Sequence, residues 1–342
     1  MMKAGALIKP DLFQKPLILI SLWTFVYLTN LGGYSLFDLD EALYAALGKG
    51  IYLSDQWLIP TFNLNLPFLE KPPLLIWLIV ISYKVFGQNE LAARLPSALA
   101  VLVTAFLLYL WIGNKKRGFE ASLIFLSSGL IWFVGRSALM DALLTMCISG
   151  LSLALLNLRK PYAHLSAGLF AGLGLLTKGP VAILLPGIVW MIYASYRPSE
   201  WKKLKLPGLL LTALLSALIA LPWYFMIYQA TSGEFLKEFF LKHNLMRFGG
   251  NLGHNAPWFY YLPVLLIGFL PWAVPLFMAF FSAETKRLKR NSTFIYGLIW
   301  SVVIVLFFSF SSTKLVAFIL PAFPALAITS AEIFHSTKLR SR

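Results

Sequence analysis

Two adjacent carboxylates, Asp40 and Glu41, have the residue types and the position that best suit acid–base chemistry in this chain. They open the segment DEALYAALGKG, whose alanine and leucine content predicts a helix. Neighbouring residues on a helix point about 100° apart, so these two carboxylates cannot face each other as an acid–base pair. We expect one of them to act and the other to support it. Asp40 also stands directly before the helical run, where an aspartate commonly serves as the N-cap.

Basic residues elsewhere suit a phosphate-bearing ligand beside these carboxylates. Lys71 lies in the segment EKPP, where the following prolines keep the chain extended and so fix the direction of its side chain. Arg247, Lys314, Lys178 and a further carboxylate, Asp141, lie in other polar segments. Each cation alone is typical of a side chain that anchors in the lipid headgroups. Several cations near carboxylates on one surface instead indicate lipid-phosphate chemistry.

Two histidines and a glutamate are candidate ligands for a divalent metal. His243 and His254 are eleven residues apart, a wider spacing than structural metal sites usually show. Glu70 together with His254 could complete a site, whereas histidines that only donate and accept hydrogen bonds explain the same residues without a metal. No other cofactor is indicated, because neither a Walker nor a Rossmann glycine pattern is present.

The composition excludes a soluble globule. Of the 342 residues, 59% are hydrophobic and 13% are charged, and the mean hydropathy is +0.75. So much apolar surface cannot enter one core, which indicates an integral membrane protein. The apolar runs are continuous and about 17–25 residues long, which suits spanning helices and not the alternating strands of a barrel. The expected fold class is therefore all-α, a polytopic transmembrane helical protein.

The distribution of basic residues predicts the topology. We expect ten spans, at residues 16–34, 95–112, 119–137, 141–158, 164–178, 180–196, 206–228, 257–281, 293–310 and 315–333. With this assignment 19 of the 29 basic residues lie on the side of the N-terminus, which the positive-inside rule makes cytoplasmic. Residues 72–87 form a short apolar run, and treating it as a span would move 16 of those 19 residues outside. We therefore expect this run to be a juxtamembrane helix.

The same topology places the candidate residues on one face, the outer face of the membrane. Two large outer loops are expected, at residues 35–94 and 229–256, with both termini in the cytoplasm. We expect residues 1–342 to form one membrane domain without a separate soluble domain. The net charge of +15 does not predict a nucleic-acid partner, because the basic residues are spread among the loops between spans. The expected partners of this membrane domain include the surrounding membrane lipids.

Six motifs, in this order, resemble the C superfamily of bacterial glycosyltransferases. They are FDLDEALYA, WLIPTFNLNLPFLEKPPLLIWLIVISYKVFGQNELAARLPSAL, RSALMDALLT, GLGLLTKGP, FFLKHNLMRFGGNLGHNAPWFYYLPVLLIGFLPW and FFSFSSTKLVAFILPAFPALA. The likeness extends from about residue 16 to 333 and is greatest for the branch of the aminoarabinose lipid A transferase and the dolichyl-phosphate-mannose–protein mannosyltransferases. Leu43 departs from the aminoarabinose branch, where an arginine is typical.

This resemblance implies a glycosyltransferase that inverts the configuration at the anomeric carbon and acts at the outer face of the bacterial inner membrane. It implies a sugar donor linked to polyprenyl phosphate and a lipid, glycan or protein acceptor. Asp40 corresponds to the essential acid of the family and Asp141 to its second acid. Glu70 and Lys71 match residues near the carrier phosphate, and Arg247 matches a further phosphate contact.

Two functions of other classes remain open. A transporter or flippase for a polyprenyl-linked or anionic lipid would need intramembrane charge and helix breaks, and it predicts inverted internal repeats. A non-catalytic scaffold derived from the same fold would keep the helices without the reaction. No repeat is evident in the sequence and the unusual charges gather on one side, which favours the enzyme.

Overall fold

The computed structural model describes residues 11–37, 39–62, 66–240, 256–280 and 288–338. These segments are almost entirely helical, with one short antiparallel hairpin of β1 (Thr61–Phe62) and β2 (Leu66–Pro67). The α-helices in chain order are α1 (Asp11–Trp23), α2 (Asp40–Ser54), α3 (Leu74–Phe86), α4 (Glu90–Trp111), α5 (Lys115–Leu126), α6 (Gly129–Gly135), α7 (Met140–Leu156), α8 (Ala163–Lys178), α9 (Val181–Tyr196), α10 (Leu206–Ala230), α11 (Glu234–Leu236), α12 (Tyr261–Gly268), α13 (Ala273–Phe280), α14 (Ser292–Phe310) and α15 (Phe323–Lys338). A π-helical turn (Thr24–Leu28) extends α1, and 3₁₀ segments occupy Pro198–Lys203, Leu288–Arg290 and Val316–Ala322. The predicted helical membrane fold class is confirmed.

Several of these helices have the length and composition of membrane spans. Within the described ranges, α4, α10, α14 and the segment Val316–Ser336 are each long and apolar enough to cross a bilayer. Two bent pairs, α5 with α6 at 68° and α12 with α13 at 107°, bring the number to six if each pair is one span. The apolar segment Phe13–Leu28 and the helices α3, α7 and α9 are shorter. Each of the ten predicted spans overlaps a helix or a bent pair, and their number stays a prediction.

Helix α7 lies at the centre of the bundle. Every residue from 140 to 154 is buried, as expected of a helix that is apolar on all sides. The helix packs against α4, α8, α9 and the 3₁₀ segment Val316–Ala322. Its first turn carries Asp141. We call the end of the bundle at which α4 and α7 begin the site end.

The two bent pairs contact each other at their breaks. The backbone N–H of Gly129 donates to the carbonyl of Leu270 at 3.0 Å, and the indole N–H of Trp272 donates to the hydroxyl of Ser127 at 2.8 Å. Hydrocarbon offers no hydrogen-bond partner, so polar groups released at a helix break need partners within the protein. Each break therefore supplies partners for the other.

The helices α2 and α3 pack together beside the start of α4. With 13 residues, α3 is about 20 Å long, whereas the hydrocarbon core is about 30 Å thick. Its buried residues include Leu75, Ile76 and Ile79, which are fully covered. This length is the one expected of a juxtamembrane helix.

The opposite end of the bundle carries a second group of charges. Arg117 at the start of α5 pairs with the buried Glu332 of α15, with 2.6 Å between Nη1 and Oε2. The side chain of Asn291 donates to the same carboxylate at 2.7 Å, and Lys160 donates to the carbonyl of Trp111 at 3.5 Å. The polar groups at the two ends are therefore separated by the length of the helices.

Candidate functional site

A buried ion pair between Arg94 and Glu41 organises the site end. The two side chains are 0% and 2% exposed. Nε of Arg94 donates to Oε1 of Glu41 at 2.9 Å and Nη2 donates to Oε2 at 3.1 Å, which is the bidentate geometry of a strong pair. The other guanidinium N–H groups donate to the carbonyls of Leu31, Tyr34 and Ser35, each at 2.9 Å. All five donors of the guanidinium are therefore used.

The carboxylate of Glu41 is saturated in the same way. Besides the two bonds from Arg94, it accepts the backbone N–H of Phe37 and that of Ala138, each at 2.8 Å. A carboxylate offers about four acceptor positions, and these bonds fill them. Glu41 thus joins the start of α2 to the chain that precedes α7. This residue, which we predicted among the catalytic carboxylates, occupies the supporting position of the pair.

Asp40 occupies the exposed position. Helix α2 begins at Asp40, and its N-cap is Leu39, whose φ of 70° lies in the left-handed region. Asp40 is therefore not the N-cap, which was the alternative role considered for it, and no side-chain hydrogen bond caps this end of the helix. A positive φ at a residue other than glycine is strained, and such strain concentrates at functional sites. The turn directs the carboxyl-bearing residue away from the capping position.

Tyr44 holds the ammonium group of Lys71 against α2. Nζ of Lys71 donates to the hydroxyl of Tyr44 and lies 5.0 Å from the centre of its ring. Tyr44 is buried, Lys71 is half-buried and the neighbouring Glu70 is exposed. The predicted phosphate-binding lysine therefore lies beside the helix that begins with Asp40.

Asp141 and Lys178 form a second ion pair at the site end. Nζ of Lys178 lies 2.7 Å from Oδ1 of Asp141, and the side chains are 16% and 11% exposed. Asp141 lies in the first turn of α7, where the helix dipole favours a negative charge, and Lys178 is the last residue of α8. The same ammonium lies 4.6 Å from the ring centre of Phe318. The predicted second acid is therefore paired with Lys178, one of the cations that the sequence analysis considered for a phosphate-bearing ligand.

Lys314 is buried at the same end of the molecule. Its Nζ donates to the carbonyl of Ser311 at 2.7 Å. The next residue, Leu315, accepts a hydrogen bond from the hydroxyl of Tyr261 at 3.1 Å. The segment is thereby fixed just before the 3₁₀ turn that packs on α7. Lys314 lies in the interior beside the site, and its predicted contact with the carrier phosphate stays a prediction.

Short hydrogen bonds join the two ion pairs into one framework. Ala138, whose N–H binds Glu41, is three residues before Asp141. The hydroxyl of Ser97 on α4 donates to the carbonyl of Leu139 at 3.1 Å. The start of α7 is therefore fixed to both α2 and α4. In this way the structure brings Asp40, Lys71 and Asp141 to the same end of the bundle.

An exposed ion pair closes the far end of α2. Asp55 accepts the indole N–H of Trp57 at 2.9 Å and pairs with Lys84 of α3 at 3.3 Å. The bond from Trp57, followed by the contact with Lys84, lowers the pKa of the Asp55 carboxyl below its usual value. The Asp55 side chain is 76% exposed, so the pair adds little stability, and its contacts serve the packing of α2 on α3.

Three predicted or considered residues lie outside the described ranges. They are Arg247, His243 and His254. Within the described ranges, no group of three His, Cys, Asp or Glu side chains is arranged to hold a metal ion. The metal site of Glu70 with His254 stays a prediction, as does the phosphate contact of Arg247.

Sequence analysis missed Arg94 and Tyr44. Arg94 is an arginine inside the apolar run that leads into a predicted span, and a buried charge in such surroundings requires a partner. That signal was readable, although it does not name Glu41 as the partner. Tyr44 follows Asp40 by four residues, which places both on one face of a helix. No sequence pattern links Tyr44 to Lys71.

The fold and the site define a class of membrane protein. It is a polytopic helical bundle in which the candidate carboxylates and ammonium groups of the described residues lie at one end. Residues 70–225 match the family model described as dolichyl-phosphate-mannose-protein mannosyltransferase.

Proteins of similar sequence include several sugar transferases. The undecaprenyl phosphate-alpha-4-amino-4-deoxy-L-arabinose arabinosyl transferase 2 of Proteus mirabilis is 32% identical over 329 residues, covering 92% of this chain and 58% of its own length. The corresponding transferase of Erwinia tasmaniensis is 34% identical over 330 residues, again covering 92% and 58%. The chain therefore spans little more than half the length of these relatives.

Solved structures share the fold. ArnT from Cupriavidus metallidurans, bound to undecaprenyl phosphate, superimposes with a TM-score of 0.82 at 26% identity, over 93% of this chain and 60% of that one. The archaeal oligosaccharyltransferase AglB from Archaeoglobus fulgidus shows the fold alone, with a TM-score of 0.65 at 13% identity over 98% of this chain and 52% of its own. The resemblance to C-superfamily glycosyltransferases, on the side of the aminoarabinose transferases, is confirmed.

Proposed function

We propose that this protein transfers a sugar from a polyprenyl-phosphate carrier to a lipid acceptor of the lipid A kind. The names of the similar transferases support the donor class, since they act with undecaprenyl phosphate-linked aminoarabinose. The observation that carries the proposal is the placement of an exposed carboxylate, Asp40, on the helix that also holds the ammonium of Lys71. A glycan or a protein is the alternative acceptor.

The chemistry is a single displacement at the anomeric carbon, with inversion. The acceptor oxygen forms a bond to this carbon while the bond from the carbon to the phosphate oxygen breaks. Asp40 takes the proton of the acceptor hydroxyl, and the electron pair leaves with the carrier phosphate. Lys71 offsets the negative charge that develops on that phosphate. Asp141, paired with Lys178, is proposed to orient groups at the same centre.

The charges at the two ends of the bundle indicate which side of the membrane the site faces. The basic loops lie at the end opposite to the site, and basic loops remain in the cytoplasm of bacteria. We therefore place the site on the outer face of the inner membrane.

Replacing Asp40 by Asn tests the catalytic assignment. The assay measures by mass spectrometry the transfer of aminoarabinose from undecaprenyl phosphate to lipid A in proteoliposomes. The rate of transfer should fall by about 100-fold or more because the proton acceptor is lost. Asp55→Asn is the matched control, since Asp55 is an exposed carboxylate just after the same helix, and it should transfer sugar at the wild-type rate. Equal transfer by D40N and wild type would remove Asp40 from the reaction, whereas the absence of transfer by both proteins would favour the non-catalytic scaffold.

A lipid transporter is one of the two alternative functions. Such a protein would use helix breaks to bind its cargo in the membrane. The contacts of Gly129 with Leu270 and of Trp272 with Ser127 join the breaks of this bundle to each other. This mutual pairing favours the enzyme.

The proposed metal site has its own experiment. If Glu70 and His254 bind a divalent cation that the reaction needs, a chelator abolishes transfer and added metal restores it. The variant Glu70→Gln would then lose activity in the same way. Full activity of metal-free protein would remove the metal from the proposal.

A further inference from the structure

Tyr44 is a buried residue of α2 that contacts the proposed phosphate-binding lysine. Its side chain is 2% exposed, and its hydroxyl accepts a hydrogen bond from Nζ of Lys71. The ammonium lies 5.0 Å from the centre of the tyrosine ring, beyond the hydroxyl end of the side chain. The attraction between Tyr44 and the lysine is therefore this hydrogen bond.

Lys71 itself belongs to no helix. It lies between the hairpin strand β2 and the start of α3, and Pro72 and Pro73 follow it directly. The prolines restrict the backbone, but the lysine side chain keeps four rotatable bonds, and ordering it for a ligand costs conformational entropy. A partner that holds the ammonium in advance lowers that cost.

Helix α2 places this partner in register with Asp40. Asp40 and Tyr44 are four residues apart, so they lie on one face of the helix, about 6 Å apart along its axis. The helix is itself fixed at Glu41 by the buried pair with Arg94. One rigid face thus carries the exposed carboxylate and the holder of the ammonium.

We propose that Tyr44 is a positioning residue that orients the ammonium of Lys71 toward the phosphate of the carrier lipid. This inference rests on the function proposed above and deepens it, because it links the proton acceptor and the phosphate contact to a single helix. Lys71 reaches its position through Tyr44, and Tyr44 need not touch the substrate.

The test is a binding measurement that does not require sugar transfer. Affinity for undecaprenyl phosphate is measured with full-length protein in nanodiscs, for wild type, Y44F, K71A and the double variant. Y44F keeps the ring and loses the hydroxyl, and it should weaken binding about tenfold, as expected for one lost hydrogen bond to a charged group. In the K71A background Y44F should have no further effect, because the tyrosine acts through the lysine.

Y83F is the matched control. Tyr83 of α3 also donates its hydroxyl to α2, at 3.4 Å to the carbonyl of Ala45, so its hydrogen bond is made to the backbone and not to Lys71. The affinity of the Y83F variant for undecaprenyl phosphate should stay within twofold of that of the wild type. If Y44F fails to fold, a fluorinated tyrosine at position 44, which is a weaker acceptor of nearly the same shape, should weaken binding a few-fold.

Three results would overturn the inference. Y44F and Y83F could bind the carrier equally well, or the effects of Y44F and K71A could add. A wild-type protein that does not bind undecaprenyl phosphate would overturn it as well. A protein that binds the carrier but transfers no sugar would instead contradict the proposed reaction and leave the effect of Tyr44 on binding measurable.

Discussion

At the scale of single residues, burial separates two carboxylates that are neighbours in the chain. Glu41 is 2% exposed and receives four hydrogen bonds, whereas Asp40 is exposed at the first position of the same helix. A buried ion pair is costly to break because the remaining charge has no solvent. Loss of the contacts of Glu41 should therefore be measurable as lost stability, whereas the role proposed for Asp40 should be measurable as activity.

The buried pair predicts a large loss of stability when one partner is removed. Arg94→Ala leaves the Glu41 carboxylate uncompensated in the interior, and the free energy of unfolding should fall by about 3–5 kcal/mol. Denaturation in mild detergent measures this change. Lys84→Ala, which breaks the exposed pair with Asp55, is the control and should cost less than about 1 kcal/mol. Similar losses for R94A and K84A would contradict the anchoring role of Arg94.

At the scale of helices, the packing of α10 on α8 depends on small residues. A Cβ atom at Gly172 would lie 2.7 Å from Cβ of Ile219, and one at Gly168 would lie 2.6 Å from Cβ of Leu215. These two glycines are four residues apart and so form a small-residue face that admits the neighbouring helix. Helix α10 has few other buried residues, so this face carries much of its attachment.

The close approach predicts opposite effects for two glycine substitutions. Gly172→Ala places a methyl group against Ile219 and should destabilise the protein by about 1–3 kcal/mol through overpacking. Gly187 of α9 has open space at its Cβ position, so Gly187→Ala should be neutral or stabilising by up to about 1 kcal/mol. Thermal unfolding of both variants decides the point. If G172A unfolds at the same temperature as the wild type, α10 can move away from α8 without a loss of stability.

At the scale of the whole molecule, the charges are divided between the two ends of the bundle. The pairs of Glu41 with Arg94 and of Asp141 with Lys178 lie at one end, and Arg117 with Glu332 lies at the other. Under the orientation proposed above, the first end faces outward and the second end faces the cytoplasm.

Chemical labelling tests this orientation. The native Cys147 is fully buried, so it should not react with a maleimide that cannot cross the membrane. Asp55→Cys at the site end should react in spheroplasts, because the positive-inside rule places this end outside. Lys116→Cys, exposed at the opposite end, should react only after the membrane is opened. The reverse pattern would place the site in the cytoplasm.

Much of the architecture could be predicted from the sequence because apolar length and charge scarcity are local properties. The helical membrane class and the polar segments around Asp40, Lys71 and Asp141 could be read without coordinates. The structure places the N-cap at Leu39 and not at Asp40, where capping was the alternative considered, because helix propensity alone does not fix the residue at which a helix begins.

By itself, the sequence determined that this protein is a helical membrane bundle, and it predicted that the candidate carboxylates and cations lie on one face. The tertiary structure decided which of those charges meet. Arg94 and Glu41 are 53 residues apart, Lys178 and Asp141 are 37 apart, and Lys71 and Tyr44 are 27 apart. The physical reason is that hydrophobicity fixes where a helix begins and ends, whereas the pairing of side chains from different helices depends on how those helices pack.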